Sequence, residues 1–174
     1  MSQLERFQSR RKLSAHKDWV IKYLKQGYQY PVTLEIDPTN RCPLNCPHCV
    51  WSEYRLVKHE ALKYGVLIRV VEEAAGLGVK SFIWTGGGEP LSNPATLARI
   101  FFANQLGIKN AMFTTGVLLT KRAADYLTGS LSWIRFHLDG ATAKSYAKLH
   151  QVPESLFQQV IDNIRYFNRR RKAT

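Results

Sequence analysis

The sequence predicts an α/β protein in which a parallel sheet of about four strand–helix units forms part of a (β/α) barrel, with one helix before it. Short β-branched runs alternate four times with longer amphipathic runs, and the connections are long enough for right-handed crossovers. Each strand run also ends in an unusual polar or glycine-rich cluster. Because the carboxyl ends of parallel strands share one edge, these clusters should form a single site there.

The N-terminal part of the chain predicts a basic helix. Apolar residues between Leu13 and Leu24 recur at a helical period among lysines, and Gly27 is the expected stop. We therefore expect a basic helical extension over residues 1–30 and a core domain over residues 31–174.

Strands are expected where β-branched or alternating runs end at turn residues, at positions 32–37, 79–84, 110–115 and 132–138. Amphipathic helices are expected at positions 60–75, 93–105, 120–127 and 154–170. Asn93 and Pro94 suit the N-cap and first position of the second of these helices.

Composition bounds the class of protein. The chain is 45% hydrophobic and 22% charged, which is typical of a folded domain rather than a disordered one. Its longest apolar runs fall well short of the roughly 20 residues of a membrane span, so no membrane partner is expected. The N-terminus has no apolar signal region, which predicts a cytoplasmic location.

The net charge of +12 is concentrated at the two ends of the chain. Such charge is compatible with a nucleic-acid or acidic partner, and equally with solvated helix faces. Charge alone therefore does not choose a function.

All three cysteines, Cys42, Cys46 and Cys49, lie within eight residues in the spacing CxxxCxxC. An odd, tight cluster suits a metal site better than a disulfide framework. Three thiolates can each bind one iron of a [4Fe–4S] cluster, and without a fourth cysteine one iron stays open. The alternative is a zinc site with His48 or His59 as fourth ligand, although zinc motifs usually pair their ligands two and two.

Two motifs together resemble the radical SAM superfamily: RCPLNCPHC at residues 41–49, and TGGGEP at residues 85–90 after the second strand. The resemblance extends over residues 32–167. It implies a [4Fe–4S] cluster on the three cysteines and S-adenosylmethionine as second cofactor. The methionine group would chelate the open iron, and one electron from a flavodoxin- or ferredoxin-type donor would release a 5′-deoxyadenosyl radical that abstracts a substrate hydrogen. No further catalytic residue is assigned.

The resemblance also implies contacts for S-adenosylmethionine in the glycine loop. Gly87 and Gly88 lack a Cβ and would let the backbone approach the methionine, and Glu89 would help to satisfy its ammonium.

Three further contacts are implied with departures from the family pattern. His48 stands where an aromatic residue often packs near the adenine, with Trp51 as an alternative. Thr115 replaces the asparagine of the usual T-N-G after the third strand. His137 replaces a serine that commonly touches the ribose.

The family core is a partial barrel of six βα units, so the resemblance implies that the last two are missing here. The chain could be a short member, a truncated product, or one whose barrel is completed by a second copy or partner subunit. A small-molecule, peptide or RNA substrate is compatible with the sequence. Functions from other classes are a non-catalytic cluster- and S-adenosylmethionine-binding module and a zinc-stabilised nucleic-acid-binding domain.

Overall fold

The computed structural model describes residues 14–173. They divide into two compact units, of which the first reaches Val32 and the second begins at Thr33. Within these residues, no helix combines the length and apolarity needed to cross a bilayer.

The first unit contains the expected helix. A 3-10 turn at Ser14–His16 leads into α1 (Lys17–Gln26). Gly27 ends the helix in the left-handed conformation at φ 77°, and its N–H donates to the carbonyl of Tyr23. The predicted helix and its glycine stop are confirmed, while Leu13 lies outside the described residues.

The second unit is built on a sheet of four parallel strands, each paired with the next one in the chain. The strands are β1 (Thr33–Ile36), β2 (Ser81–Trp84), β3 (Lys109–Thr114) and β4 (Leu131–Phe136). The predicted parallel α/β sheet is therefore confirmed, with strand boundaries shifted by one or two residues. Among the described strands, β1 and β4 form the two edges.

Six α-helices and one 3-10 turn (Pro90–Ser92) follow the strands in the described part of this unit. The α-helices are α2 (Ser52–Val57), α3 (Tyr64–Gly76), α4 (Thr96–Gln105), α5 (Lys121–Thr128), α6 (Ala143–His150) and α7 (Ser155–Ala173). Four of them correspond to predicted helices, whereas the short α2 and α6 lie in segments that the sequence left unassigned.

Two predicted helices begin later than expected because their first residues bond to the loop after β1. Thr39 and Ala61 form an isolated antiparallel bridge, so α3 begins only at Tyr64. Asn93 does not cap α4: its side chain accepts from Ala95 N–H at 2.9 Å and donates to the carbonyls of Pro38 and Leu62. The Asn93 side chain therefore holds the segment that follows β1 in place.

The main core lies between the sheet and helices α3, α4, α5 and α7. Its fully buried members include Phe82, Trp84, Leu67, Ile100 and Phe167. Burying each such side chain stabilises the fold by about 1.5–3 kcal/mol. Burial alternates along β2 because successive side chains point to opposite faces of the sheet.

A smaller core supports the loop that carries the cysteines. It consists of Leu44, Val117, Tyr146 and Val160, and Cys42 and Cys46 pack against it. The cysteine loop is thus held by apolar contacts with α6 and α7.

Because all four strands are parallel, their carboxyl ends and the loops that follow lie at one edge of the sheet. Helix α7 fastens the loop after β3, where Asn163 donates to the carbonyl of Gly116 at 2.9 Å and Gln159 to that of Val117 at 3.1 Å.

Candidate active site

One pocket of about 500 Å³ lies at the carboxyl ends of the strands and brings together all nine site residues expected from the sequence. They are Cys42, Cys46, His48, Cys49, Gly87, Gly88, Glu89, Thr115 and His137. Arg55, Phe113, Arg135 and His150 also line it.

The cysteine loop is fixed by its own backbone bonds as well as by packing. The N–H of Asn45 donates to the carbonyl of His150 at 3.0 Å, and the N–H of Cys49 donates to the carbonyl of Cys46 at 3.2 Å. All three thiols are free and partly buried. Three potential metal ligands are therefore presented to one cavity.

Burial controls the protonation of these thiols. It raises the pKa of Cys42, and it raises that of Cys46 to about 11 with help from the charges of the neighbouring cysteines. The cationic side chain of Arg55 acts in the opposite direction at both thiols. In the metal-free protein the Cys42 and Cys46 thiols are protonated at neutral pH, so binding iron releases protons.

Arg55, on α2, belongs to the site although the sequence analysis did not select it. Its side chain is buried, and Nη1 donates to Cys49 Sγ at 3.3 Å and to the carbonyl of Gly87 at 3.0 Å. No sequence pattern could have selected it, because arginines are mostly exposed.

His150, at the end of α6, is a second missed residue. Its buried ring places Nδ1 3.0 Å from Cys46 Sγ and Nε2 3.3 Å from the carbonyl of Leu138. A carbonyl can only accept, so Nε2 carries the ring proton and Nδ1 accepts from the thiol. Burial lowers the pKa of His150, which favours this neutral form.

The sequence did contain a signal for His150. Thr142 and Ser145 form a capping box, in which each side chain bonds to the other's backbone N–H. That spacing marks the start of an α-helix and would have placed His150 on it.

The glycine loop packs backbone to backbone against the cysteine loop. A Cβ on Gly88 would collide with the backbone of Thr39, Asn40 and Arg41, and the Glu89 N–H donates to the Arg41 carbonyl at 2.8 Å. Only glycine fits such an approach.

The neighbouring glycines are fixed by Asp37. Gly86 has φ 129° and faces the Asp37 carboxylate, which accepts the Gly87 N–H at 2.7 Å. Trp51 packs over Gly87 and lines an adjoining cavity of about 400 Å³.

Glu89 is 1% exposed, and four donors contact its carboxylate. They are the Thr114 hydroxyl at 2.7 Å, the Thr115 N–H at 2.7 Å, the Thr115 hydroxyl at 2.8 Å and the Leu91 N–H at 3.3 Å. Burial raises the pKa of Glu89, and these bonds oppose that effect. Because its acceptor positions are filled, a ligand ammonium would have to share the carboxylate with protein donors.

The two expected histidine contacts lie at the exposed rim. The His48 ring centroid is 6.3 Å from that of His150. His137 Nε2 lies 2.6 Å from an Asp139 carboxylate oxygen. Both rings are accessible to a ligand in the pocket.

The donor set fits an iron–sulfur cluster. Its three free thiols line one pocket, as the separate ligands of a cluster would. A zinc site would require its ligands on one ion, whereas each thiolate of a [4Fe–4S] cluster binds a different iron.

The sequence model of the Radical SAM superfamily matches residues 36–173. The chain is 31% identical over 137 residues to the GTP 3′,8-cyclase of Geobacter sulfurreducens, covering 75% of this chain and 40% of that protein. It is 33% identical over 113 residues to the PqqA peptide cyclase of Ruegeria pomeroyi, covering 64% and 30%.

Solved structures share the fold. Streptococcus suis SuiB bound to S-adenosylmethionine superposes with a TM-score of 0.70 at 24% identity, over 90% of this chain and 36% of that one. Methylornithine synthase PylB superposes with a TM-score of 0.60 at 12% identity, over 86% and 45%. The chain spans 30–40% of the length of the two cyclases. By its cysteine and glycine motifs, its sheet and the family match, the chain belongs to the radical SAM superfamily.

Proposed function

We propose that this chain is the cluster-binding catalytic part of a radical SAM enzyme. When bound and reduced, a [4Fe–4S] cluster supplies the electron that cleaves S-adenosylmethionine to a 5′-deoxyadenosyl radical, which abstracts a hydrogen from the substrate. The observation that carries this proposal is the convergence of three thiols and the glycine loop on one pocket.

The cysteines would hold the cluster, and the surrounding residues would keep them in place. Cys42, Cys46 and Cys49 each offer one thiolate, which leaves one iron for a small ligand. Leu44 packs beneath the loop, and the Asn45 N–H donates to the carbonyl of His150, so the ligands are preorganised.

The glycine loop would receive the methionine group. Gly87 and Gly88 line the pocket, and without a Cβ they pack against Trp51 and the backbone of the cysteine loop, so the glycine loop can present its backbone beside the three thiols. Glu89 contributes charge beside the ammonium, and its bonds to Thr115 fix the loop against the end of β3.

The rim residues would contact the nucleoside. We assign the adenine side to the exposed His48 ring and the ribose side to Thr115 and His137. The Asp139 carboxylate orients His137, because it accepts from Nε2 and leaves the other ring nitrogen for a ribose hydroxyl.

The rest of the enzyme would complete the barrel at β4, whose outer edge is unpaired among the described strands. That edge would be covered by further βα units of a longer protein, by a second copy of the chain or by a partner subunit. One relative is named for GTP and another for a peptide, so a small molecule and a peptide are the two substrate classes that we propose. A flavodoxin- or ferredoxin-type donor would supply the electron, in the reducing cytoplasm that free thiols require.

The test is anaerobic reconstitution with iron and sulfide, followed by incubation with S-adenosylmethionine and dithionite. We expect about four irons per chain and 5′-deoxyadenosine by mass spectrometry. Cys46→Ser is the matched control and should lose both. Four irons without cleavage would support a non-catalytic cluster-binding module, and bound zinc without iron would overturn the proposal.

A further inference from the structure

The guanidinium of Arg55 is a buried cation in the wall of the pocket. It is 9% exposed, and no ion pair among the described residues includes it. Its two contacts are the Cys49 sulfur and the Gly87 carbonyl, and neither residue is an aspartate or glutamate. A buried charge without a counter-ion is costly, so this position needs a negative partner.

The cysteines are the groups that can provide that partner. Bound to an oxidised [4Fe–4S] cluster, three thiolates give a net charge of about −1, and one electron makes it about −2. Arg55 already lies within hydrogen-bond distance of one of these sulfurs.

We propose that Arg55 is a positioning residue that favours the reduced state of the cluster and couples it to the glycine loop. This inference rests on the proposed function. A hydrogen bond to a ligand sulfur and a nearby cation both stabilise the more negative of two redox states, so they raise the reduction potential. The electron itself comes from an external one-electron donor, and no proton moves at Arg55.

The coupling follows from the two protons on Nη1. One is directed at Cys49 Sγ and the other at the carbonyl of Gly87. The N–H of the same glycine donates to Asp37, so Gly87 is held on both sides. The Arg55 side chain thus contacts both Cys49, a cluster ligand, and the glycine loop that we assign to the methionine group.

The test compares Arg55→Met and Arg55→Lys with the wild type, each reconstituted anaerobically and titrated with dithionite under EPR. Arg55→Met removes charge and donors at similar length. We expect its equilibrium constant for one-electron reduction to fall roughly tenfold or more, equivalent to a potential about 59 mV more negative. Arg55→Lys keeps the charge and should lose less than about half of that shift.

Arg99→Met is the matched control, because Arg99 is also a buried arginine but contacts Tyr64 and Phe102 instead of a cysteine. Its potential should equal that of the wild type. If Arg55→Met holds fewer irons than the wild type, Arg55→Gln is titrated in its place with the same threshold.

An unchanged potential in the iron-loaded Arg55 variants would overturn this inference and leave the proposed function intact. A wild type that binds no iron would instead overturn the proposed function. Arg55→Lys separates an electrostatic role from a packing role, because it alters the packing and keeps the charge beside the cluster.

Discussion

His150 Nδ1 lies 3.0 Å from Cys46 Sγ, although the two residues are 104 positions apart in the chain. The same ring contacts the carbonyl of Leu138 through Nε2, so one buried side chain joins the cysteine loop to the segment after β4. The site is therefore held together by long-range contacts as well as by its motifs.

Replacing this ring tests the contact directly. His150→Phe keeps an aromatic ring against Tyr146, whose centroid is 4.3 Å away, but it removes the contacts of the ring nitrogens with Cys46 Sγ and with the Leu138 carbonyl, which keeps the Gly140 N–H as a donor. We expect the free energy of unfolding to fall by about 0.5–1.5 kcal/mol and iron to be lost faster from the reconstituted protein. His137→Phe is the control, since His137 lines the pocket without contacting a cysteine. Iron retention equal to that of the control would refute a role for His150 at Cys46.

Glu89→Gln should weaken the link between the loops after β2 and β3. An amide has one acceptor oxygen, so its NH₂ group would face donors that now bond to the carboxylate. We expect a loss of about 1–3 kcal/mol in urea unfolding at neutral pH. Glu72→Gln, on the exposed face of α3, should cost almost nothing. Equal stability of the two variants would show that the four bonds contribute no net stability.

Gly88→Ala should destabilise the loop itself. The new Cβ meets backbone atoms of Thr39, Asn40 and Arg41, which cannot rotate away as a side chain would. We expect a cost of about 1–3 kcal/mol by thermal or chemical unfolding. Gly65→Ala is the control, because its Cβ meets nothing within 4 Å, and it should stabilise α3 by about 0.4–1 kcal/mol. A Gly88→Ala protein as stable as this control would contradict the close packing.

Tyr146→Phe should be neutral or stabilising. The ring is fully buried against His150 and Phe157, and its hydroxyl has no hydrogen-bond partner among the described residues. Removing an unsatisfied buried hydroxyl should raise the free energy of unfolding by up to about 1–2 kcal/mol. A clear loss of stability would mean that the hydroxyl has a partner.

The same tyrosine predicts a dependence on pH. Burial raises the pKa of Tyr146 to about 12 from an ordinary value of 10.0, so the folded state keeps this proton longer than the unfolded state does. Stability from this group is complete below pH 10 and is lost as the pH rises toward 12. Wild-type stability should therefore fall more steeply in this range than that of Tyr146→Phe. Parallel profiles would contradict the shift.

The sheet could be predicted from the sequence because each strand run contains β-branched residues and ends at turn residues. The parallel orientation of the strands follows from the long connections between them. Helix α2 was missed because six residues are too few to show a periodic apolar face. Helix α6 is as long as the predicted α5, but it buries only Tyr146 and His150 and ends at Gln151 instead of a glycine. The stability of both helices comes from tertiary packing instead.

The same limit explains which site residues were found. The cysteines and glycines have fixed spacings in the chain, and all of them line the pocket. Arg55 is one of 25 lysines and arginines, and His150 is one of five histidines. Their burial decides their roles, and burial depends on helices that the sequence pattern did not reveal.

The order of the strands in the chain also determines when each part of the site is synthesised. Each strand pairs with the one synthesised before it, so the sheet can grow strand by strand as the chain leaves the ribosome. At about 5–20 residues per second, the thiol of Cys46 is made roughly 5–20 seconds before His150, 104 residues later. During that interval the cysteines are open to oxidants and stray metal ions. Helix α6 contacts the cysteine loop through His150, so this loop acquires its native contacts only after that residue has been made.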